Sequence, residues 1–233
     1  MKIAFHGAAQ CVTGSKHLVT LKSGNKVLLD CGMFQGMGRD TEAMNRSLGF
    51  EASQVTAMIL SHAHIDHSGL IPKLCKEGFS GKIHCTPATK DLTNVLLQDS
   101  AHIQQEDARF SNKRRAAQGL PYLEPLYTVE DAQNCIPQFV GHEYGEWFDV
   151  TEGVQCMFTD AGHIIGSQVV NLKITENGVT RTLTFSGDVG RYRDVILRSP
   201  DVFPQADFII VESTYGDSLH ESNYTTPDHL LEW

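Results

Sequence analysis

No stretch of this 233-residue chain approaches the roughly 18 consecutive apolar residues of a membrane-crossing helix. The opening Ile3-Ala4-Phe5 run is too short for the core of a secretion signal. Positive charge is scarce: 19 Lys and Arg against 28 Asp and Glu leave a net charge of −9. That balance argues against a histone-like or non-specific nucleic-acid binder. It does not exclude a phosphodiesterase, because bound metal cations and local basic residues can hold a phosphate. No two cysteines stand in C-x-x-C spacing; six are scattered at positions 11, 31, 75, 85, 135 and 156. They read as reduced, mostly buried thiols of a cytoplasmic protein, not as a disulfide framework. No internal repeat or low-complexity segment is visible. What is present, 41% hydrophobic and 20% charged residues, suits one substantial globular domain.

The chemistry concentrates in His62-Ala63-His64-Ile65-Asp66-His67, which follows the apolar run Ala57-Met58-Ile59-Leu60. Neutral imidazole and carboxylate suit a borderline divalent metal such as zinc. Residues two apart on an extended segment point the same way, so His62 and His64 face one site. Asp66 and His67 begin a turn into Ser68-Gly69-Leu70, which swings them toward a second metal. His6, His17, His84, His102 and His142 lack such spacing and read as ordinary polar or packing residues. Lys113-Arg114-Arg115 reads as a solvated face.

Along the chain, Ile3 to Phe5 starts as a strand. His17–Leu21 and Lys26–Asp30 form a hairpin through Ser23-Gly24-Asn25. Residues 33–50 read as a loop with a short helix, 55–60 as a buried strand, and 83–85 as a short strand. Thr86-Pro87 caps and opens a helix with Ala88, Leu92, Val95, Leu96 and Ile103 on its apolar face. The polar, basic segment 104–127 reads as a mobile loop. Thr128-Val129-Glu130-Asp131 starts a further helix, and 140–185 turns to strands with a hairpin turn at Glu176-Asn177-Gly178. Phe208 to Val211 reads as a fully buried strand, and Thr226-Pro227-Asp228 as the start of a last helix. Periodicity alone says α/β.

The HxHxDH run resembles the central motif of the metallo-β-lactamase superfamily. Leu28-Leu29-Asp30-Cys31-Gly32, Ala161-Gly162-His163 and Ser186-Gly187-Asp188 resemble that superfamily's other motifs, in order. Gly7-Ala8-Ala9-Gln10-Cys11-Val12-Thr13-Gly14-Ser15 and Val211-Glu212-Ser213-Thr214-Tyr215-Gly216-Asp217 resemble private motifs of its β-CASP branch, which includes RNase J-like enzymes and the endonuclease of pre-mRNA 3′-end cleavage.

The resemblance implies a four-layer αββα fold, with residues 1–212 as the core and 213–233 as the start of the branch's inserted domain. It implies a zinc-dependent ribonuclease with two Zn²⁺ and a bridging hydroxide, acting on single-stranded RNA. His62, His64 and His163 would bind the first metal, Asp66 and His67 the second, and Asp188 both. Asp66 would also orient the nucleophilic water. Asp30 would hold a ligating imidazole by hydrogen bond, and Glu212 would hydrogen-bond a general-acid histidine. His220 resembles a position near the substrate phosphates. The branch's late histidines do not occur in this chain. The expectation is therefore an N-terminal portion that lacks the inserted domain and C-terminal strands, completed by a further segment or a homo-oligomer. A thioesterase- or lactonase-like hydrolase, or an inactive metal-binding module, is the alternative.

Overall fold

The computed structural model describes residues 1–192 and 196–218. Two sheets lie face to face. The first has six strands in sequence order: β1 (Lys2–Phe5), β2 (His17–Thr20), β3 (Lys26–Leu29), β4 (Ala57–Ile59), β5 (Lys82–Cys85) and β6 (Phe139–Gly141). β1 to β3 run antiparallel and β3 to β6 parallel. The second has five strands, β7 (Trp147–Thr151), β8 (Val154–Asp160), β9 (Gln168–Glu176), β10 (Val179–Phe185) and β11 (Phe208–Ile210). β7 to β10 form an antiparallel meander, and β11 joins parallel to β10.

Side-chain alternation divides the apolar residues between two cores. On β3 and β4, Val27, Leu29 and Ile59 face the second sheet, meeting Cys156, Phe158, Val170, Leu172, Leu183 and Phe185. Their neighbours Leu28, Met58 and Leu60 face the opposite way, onto a helical layer. That layer comprises α1 (Thr41–Arg46), α2 (Ile65–Ser68), α3 (Ile71–Lys76), α4 (Pro87–Ala117) and α5 (Val129–Cys135). The described residues thus form a helical layer and the two sheets of the expected αββα stack. The parallel strands β3, β4 and β5 all deliver their C-terminal ends to one rim, where Asp30, Ser61 and His62 follow.

Three expectations are corrected. Residues 104–117 are helical, not a mobile loop: α4 runs unbroken to Ala117. Their polar side chains hold the chain as it folds back along the helix. Asn112 exchanges two bonds with the Leu123 backbone at 2.7 and 2.8 Å, and Gln105 accepts from Val129 N at 3.1 Å. The buried face of α4 is Thr89, Thr93, Leu97 and Ala101, whereas Val95 and Ile103 are 64% and 52% exposed. Small threonines let the helix approach the loop at Gly166, whose carbonyl accepts from Thr89 Oγ1. Finally, β11 is not buried: it edges its sheet, and Ile209 is 52% exposed. The expected helix at Thr226-Pro227-Asp228 and His220 lie outside the described residues.

The other elements form where their residues dictate. Thr86 Oγ1 accepts from Thr89 N with Pro87 first in α4. Thr128 and Asp131 complete a reciprocal capping box on α5. Asn177 and Gly178, both at positive φ, make the β9–β10 turn.

Candidate metal centre

β4 ends against its neighbours: Asp30 N donates to Ile59 O and Leu60 N to His84 O, both at 3.0 Å. The chain then leaves the sheet through Ser61 and His62, both buried. His64 opens α2, its carbonyl accepting from His67 N and Ser68 N. Asp66 and His67 are therefore one helical turn beyond the extended pair. His163 sits between β8 and β9, in a turn held by Ser167 Oγ, which accepts from His163 N and Ile164 N. Asp188 follows β10 from the same sheet. The two sheets thus each bring one arm of the site to a common rim.

The histidines converge. His62 Nε2 and His163 Nε2 lie 3.0 and 3.2 Å from His64 Nδ1. Ligand atoms of His62, His64, His163 and Asp188 all lie within 4.8 Å of one another. Zinc–nitrogen bonds of about 2.0–2.1 Å in a tetrahedron would space the nitrogens about 3.3–3.4 Å apart, so the donor set fits such an ion. Asp188 divides its carboxylate. Oδ2 lies 3.7 Å from His62 Nε2 and 3.5 Å from His163 Nε2, while Oδ1 lies 3.2 Å from His67 Nε2. Asp66 Oδ2 lies 3.7 Å from that same His67 nitrogen.

The electrostatics differ across this divide. Burial, reinforced by His67, His163 and His64, holds His62 well below the usual imidazole range, so one ring nitrogen keeps a free lone pair. Burial likewise lowers His163. On His67 burial also resists charge, but Asp30 and Asp188 outweigh it and raise the imidazole to about 10. On Asp188 burial is outweighed by the hydrogen bond and charge of His67, which lower its pKa. The field that holds a proton on His67 favours any cation in its place.

Behind His67 lies Asp30, wholly buried, its Oδ2 2.7 Å from His67 Nδ1. The same carboxylate accepts from Ser61 N at 2.7 Å, Ser61 Oγ at 2.9 Å and Ser15 Oγ at 3.0 Å. Asp30 holds φ at +59°, a left-handed conformation that turns the chain off β3. Glu212 lies at the end of β11, half-buried, and its Oε1 accepts from Val189 N at 2.9 Å. That partner is a backbone amide beside Asp188; no histidine bonds Glu212 among the described residues.

The two serines were not singled out from sequence. Hydroxyls are common, and only the fold shows that Ser15 and Ser61 share one carboxylate. The spacing of His17 predicts a packing residue; buried in the structure, it stacks edge-on to Phe5 and Phe185 and also lines a cavity of about 450 Å³ beside His67, Asp188 and Glu212.

The chain belongs to the metallo-beta-lactamase superfamily, whose family model matches residues 14–221. Among individual proteins, a ribonuclease of Thermus thermophilus is 37% identical over 233 residues, which are 100% of this chain and 48% of that protein. The transcription termination factor FttA of Methanocaldococcus jannaschii is 29% identical over 218 residues, 93% of this chain and 32% of that factor. The chain thus spans about a third to a half of the length of these relatives. A solved metallo-β-lactamase of Cronobacter sakazakii shares 18% identity at a TM-score of 0.44, covering 79% of this chain and 55% of that one.

Proposed function

We propose that this chain is the metal-binding part of a β-CASP-type ribonuclease that hydrolyses phosphodiester bonds of single-stranded RNA at a two-zinc site. The observation that carries this reading is the divided carboxylate of Asp188, one oxygen toward His62 and His163 and the other toward His67. In this reading His62, His64 and His163 hold one zinc, Asp66 and His67 hold the other, and Asp188 belongs to both. Two bound zinc ions supply Lewis acidity at the attacking and leaving oxygens and lower the pKa of water toward neutrality.

The residues of the chain do the rest. Asp66, about one fifth exposed beside His67, would orient an attacking water. Asp30 fixes the ring plane of His67 by taking its Nδ1. Glu212 holds the Val189 amide and so the loop that carries Asp188. Because the chain is acidic overall, the RNA affinity of these residues would come from this rim rather than from their general surface. The names of the two relatives, a ribonuclease and a transcription termination factor, support an RNA substrate. Cytoplasmic location is in keeping with six free thiols, and no described helix is long and apolar enough to cross a membrane.

The test is cleavage of a labelled single-stranded RNA by the longest natural form of the protein, with and without zinc. Zinc-dependent cleavage abolished by Asp66→Asn supports the reading. Robust lactone or thioester hydrolysis with no phosphodiesterase activity overturns it.

A further inference from the structure

Ser15, the last residue of the Gly7–Ser15 run, does more than share the Asp30 carboxylate with Ser61. Ser15 is 2% exposed and reaches three segments at once. Its N–H donates to Asp66 O at 2.8 Å, its carbonyl accepts from Gly32 N at 2.8 Å, and its Oγ donates to Asp30 Oδ2 at 3.0 Å. Asp66 and His67 are the two residues that separate the second half of the centre from the imidazole triad. Ser15 touches the backbone of the first and, through Asp30, the ring of the second.

We propose that Ser15 is a positioning residue of the metal centre, holding Asp66 through its backbone and His67 through Asp30. The proposal rests on the reading of Asp66 and His67 as ligands.

A hydroxyl carries one proton, and Ser15 gives it to a carboxylate that can only accept. The neighbouring His17 Nε2, 3.4 Å from Ser15 Oγ, is then the donor of that contact. This tautomer leaves His17 Nδ1 as a bare acceptor, and that atom is buried with no partner among the described residues. Donation therefore runs from His17 to Ser15 to Asp30, and His67 Nδ1–H donates to the same carboxylate from the other side. Ser61 supplies Asp30 with its other hydroxyl at 2.9 Å, but Ser61 adjoins His62 in sequence and is carried with it. Ser15 comes from another strand connection and ties the arm that holds Asp30 to the arm that holds Asp66. A fully buried carboxylate that loses one of its donors is freer to rotate, and the ring it orients turns with it.

The experiment compares Ser15→Ala and Ser15→Thr in the full chain by two readouts. The first is the proton resonance of His67 Nδ1–H, strongly downfield when bonded to a carboxylate and identified by its loss in His67→Gln. The second is zinc titration by calorimetry. The expected result is that Ser15→Ala broadens or shifts this resonance and weakens the more weakly bound zinc about 10-fold, leaving the tighter one unchanged. Ser15→Thr retains both wild-type values. Ser15→Cys, close in size but a weak donor, behaves like Ser15→Ala and serves if the alanine variant does not fold. Addition of Asp30→Asn to Ser15→Ala gives no further loss beyond Asp30→Asn alone, because one acts through the other. An unchanged resonance in Ser15→Ala overturns the proposal. So does an equal weakening of both zincs with a lower melting temperature, which is general destabilisation. A wild-type chain that takes up no zinc overturns the metal reading instead, and the proton resonance still decides the role of Ser15.

Discussion

Asp30 Oδ2 lies 2.7 Å from His67 Nδ1, joining the end of β3 to α2 across the floor of the metal centre. Asp30 is wholly buried and receives three further donors, which together set its orientation. His67 therefore offers Nε2, and only Nε2, toward Asp188.

Asp30→Asn keeps the shape but replaces one acceptor oxygen with a donor facing other donors. The expected outcome is about 10–100-fold weaker binding at the His67 half of the site, read by zinc calorimetry. Affinity at the His67 half unchanged from the wild-type chain would show that Asp30 orients nothing.

Two glycines back the two arms of the centre. A Cβ on Gly32 would lie 1.6 Å from Asp66 O, and a Cβ on Gly190 would lie 1.7 Å from Gly162 O, beside His163. Gly32→Ala is expected to displace Asp66 and His67 and weaken the second zinc selectively. Gly190→Ala is expected to displace His163 and weaken the first. Parallel titrations of the two variants check this; identical effects on both zincs contradict the assignment of arms.

Two buried histidines outside the ligand set add to the acid sensitivity of the metal-free chain. Burial holds His84, beside His142 and Lys82, and His17 each down at about 4 from an ordinary 6.5. Below pH 6.5 the unfolded chain takes up protons that the folded chain refuses until about 4, so stability falls across that window as pH falls. His67, raised to about 10, contributes oppositely: its share is complete below 6.5 and is lost as pH rises toward 10. Denaturant melts of the metal-free chain at pH 7, 5.5 and 4.5 are expected to show a declining midpoint. His84→Gln is expected to flatten the decline; a steeper decline in that variant contradicts it.

The helix face supplies a stability test. Leu97, wholly buried, is expected to cost about 2–5 kcal/mol on truncation to alanine. Ile103→Ala, on the exposed side, is expected to stay within about 0.5 kcal/mol. Thermal melts of both variants decide which side of α4 faces the core.

That helix also shows where reading from sequence stops. The larger apolar residues Leu92, Val95 and Ile103 are at helical spacing, yet the side that packs is marked by Thr89, Thr93 and Ala101, whose small size permits close approach. The polarity of 104–117 suggested a loop because nothing local reveals that Asn112 and Gln105 bind a returning segment. The metal motif was legible because its spacing is local: two histidines on an extended stretch, then a helical turn. The hairpin at Asn177-Gly178 and the caps at Thr86 and Thr128 were legible for the same reason. Ser15, Ser61 and His17 gain their meaning only when β2 and β4 pair on either side of β3 and bring distant positions around Asp30.

The central claim is that His62, His64 and His163 form one metal half-site and Asp66 with His67 the other, joined by Asp188. Zinc titration of this chain, with elemental analysis of the His62→Ala/His64→Ala variant, tests it most directly. The three imidazoles lie in one close group with Asp188, so one tight and one weaker zinc are expected, with the tight one lost in the double variant. Unchanged metal content in that variant would contradict the account.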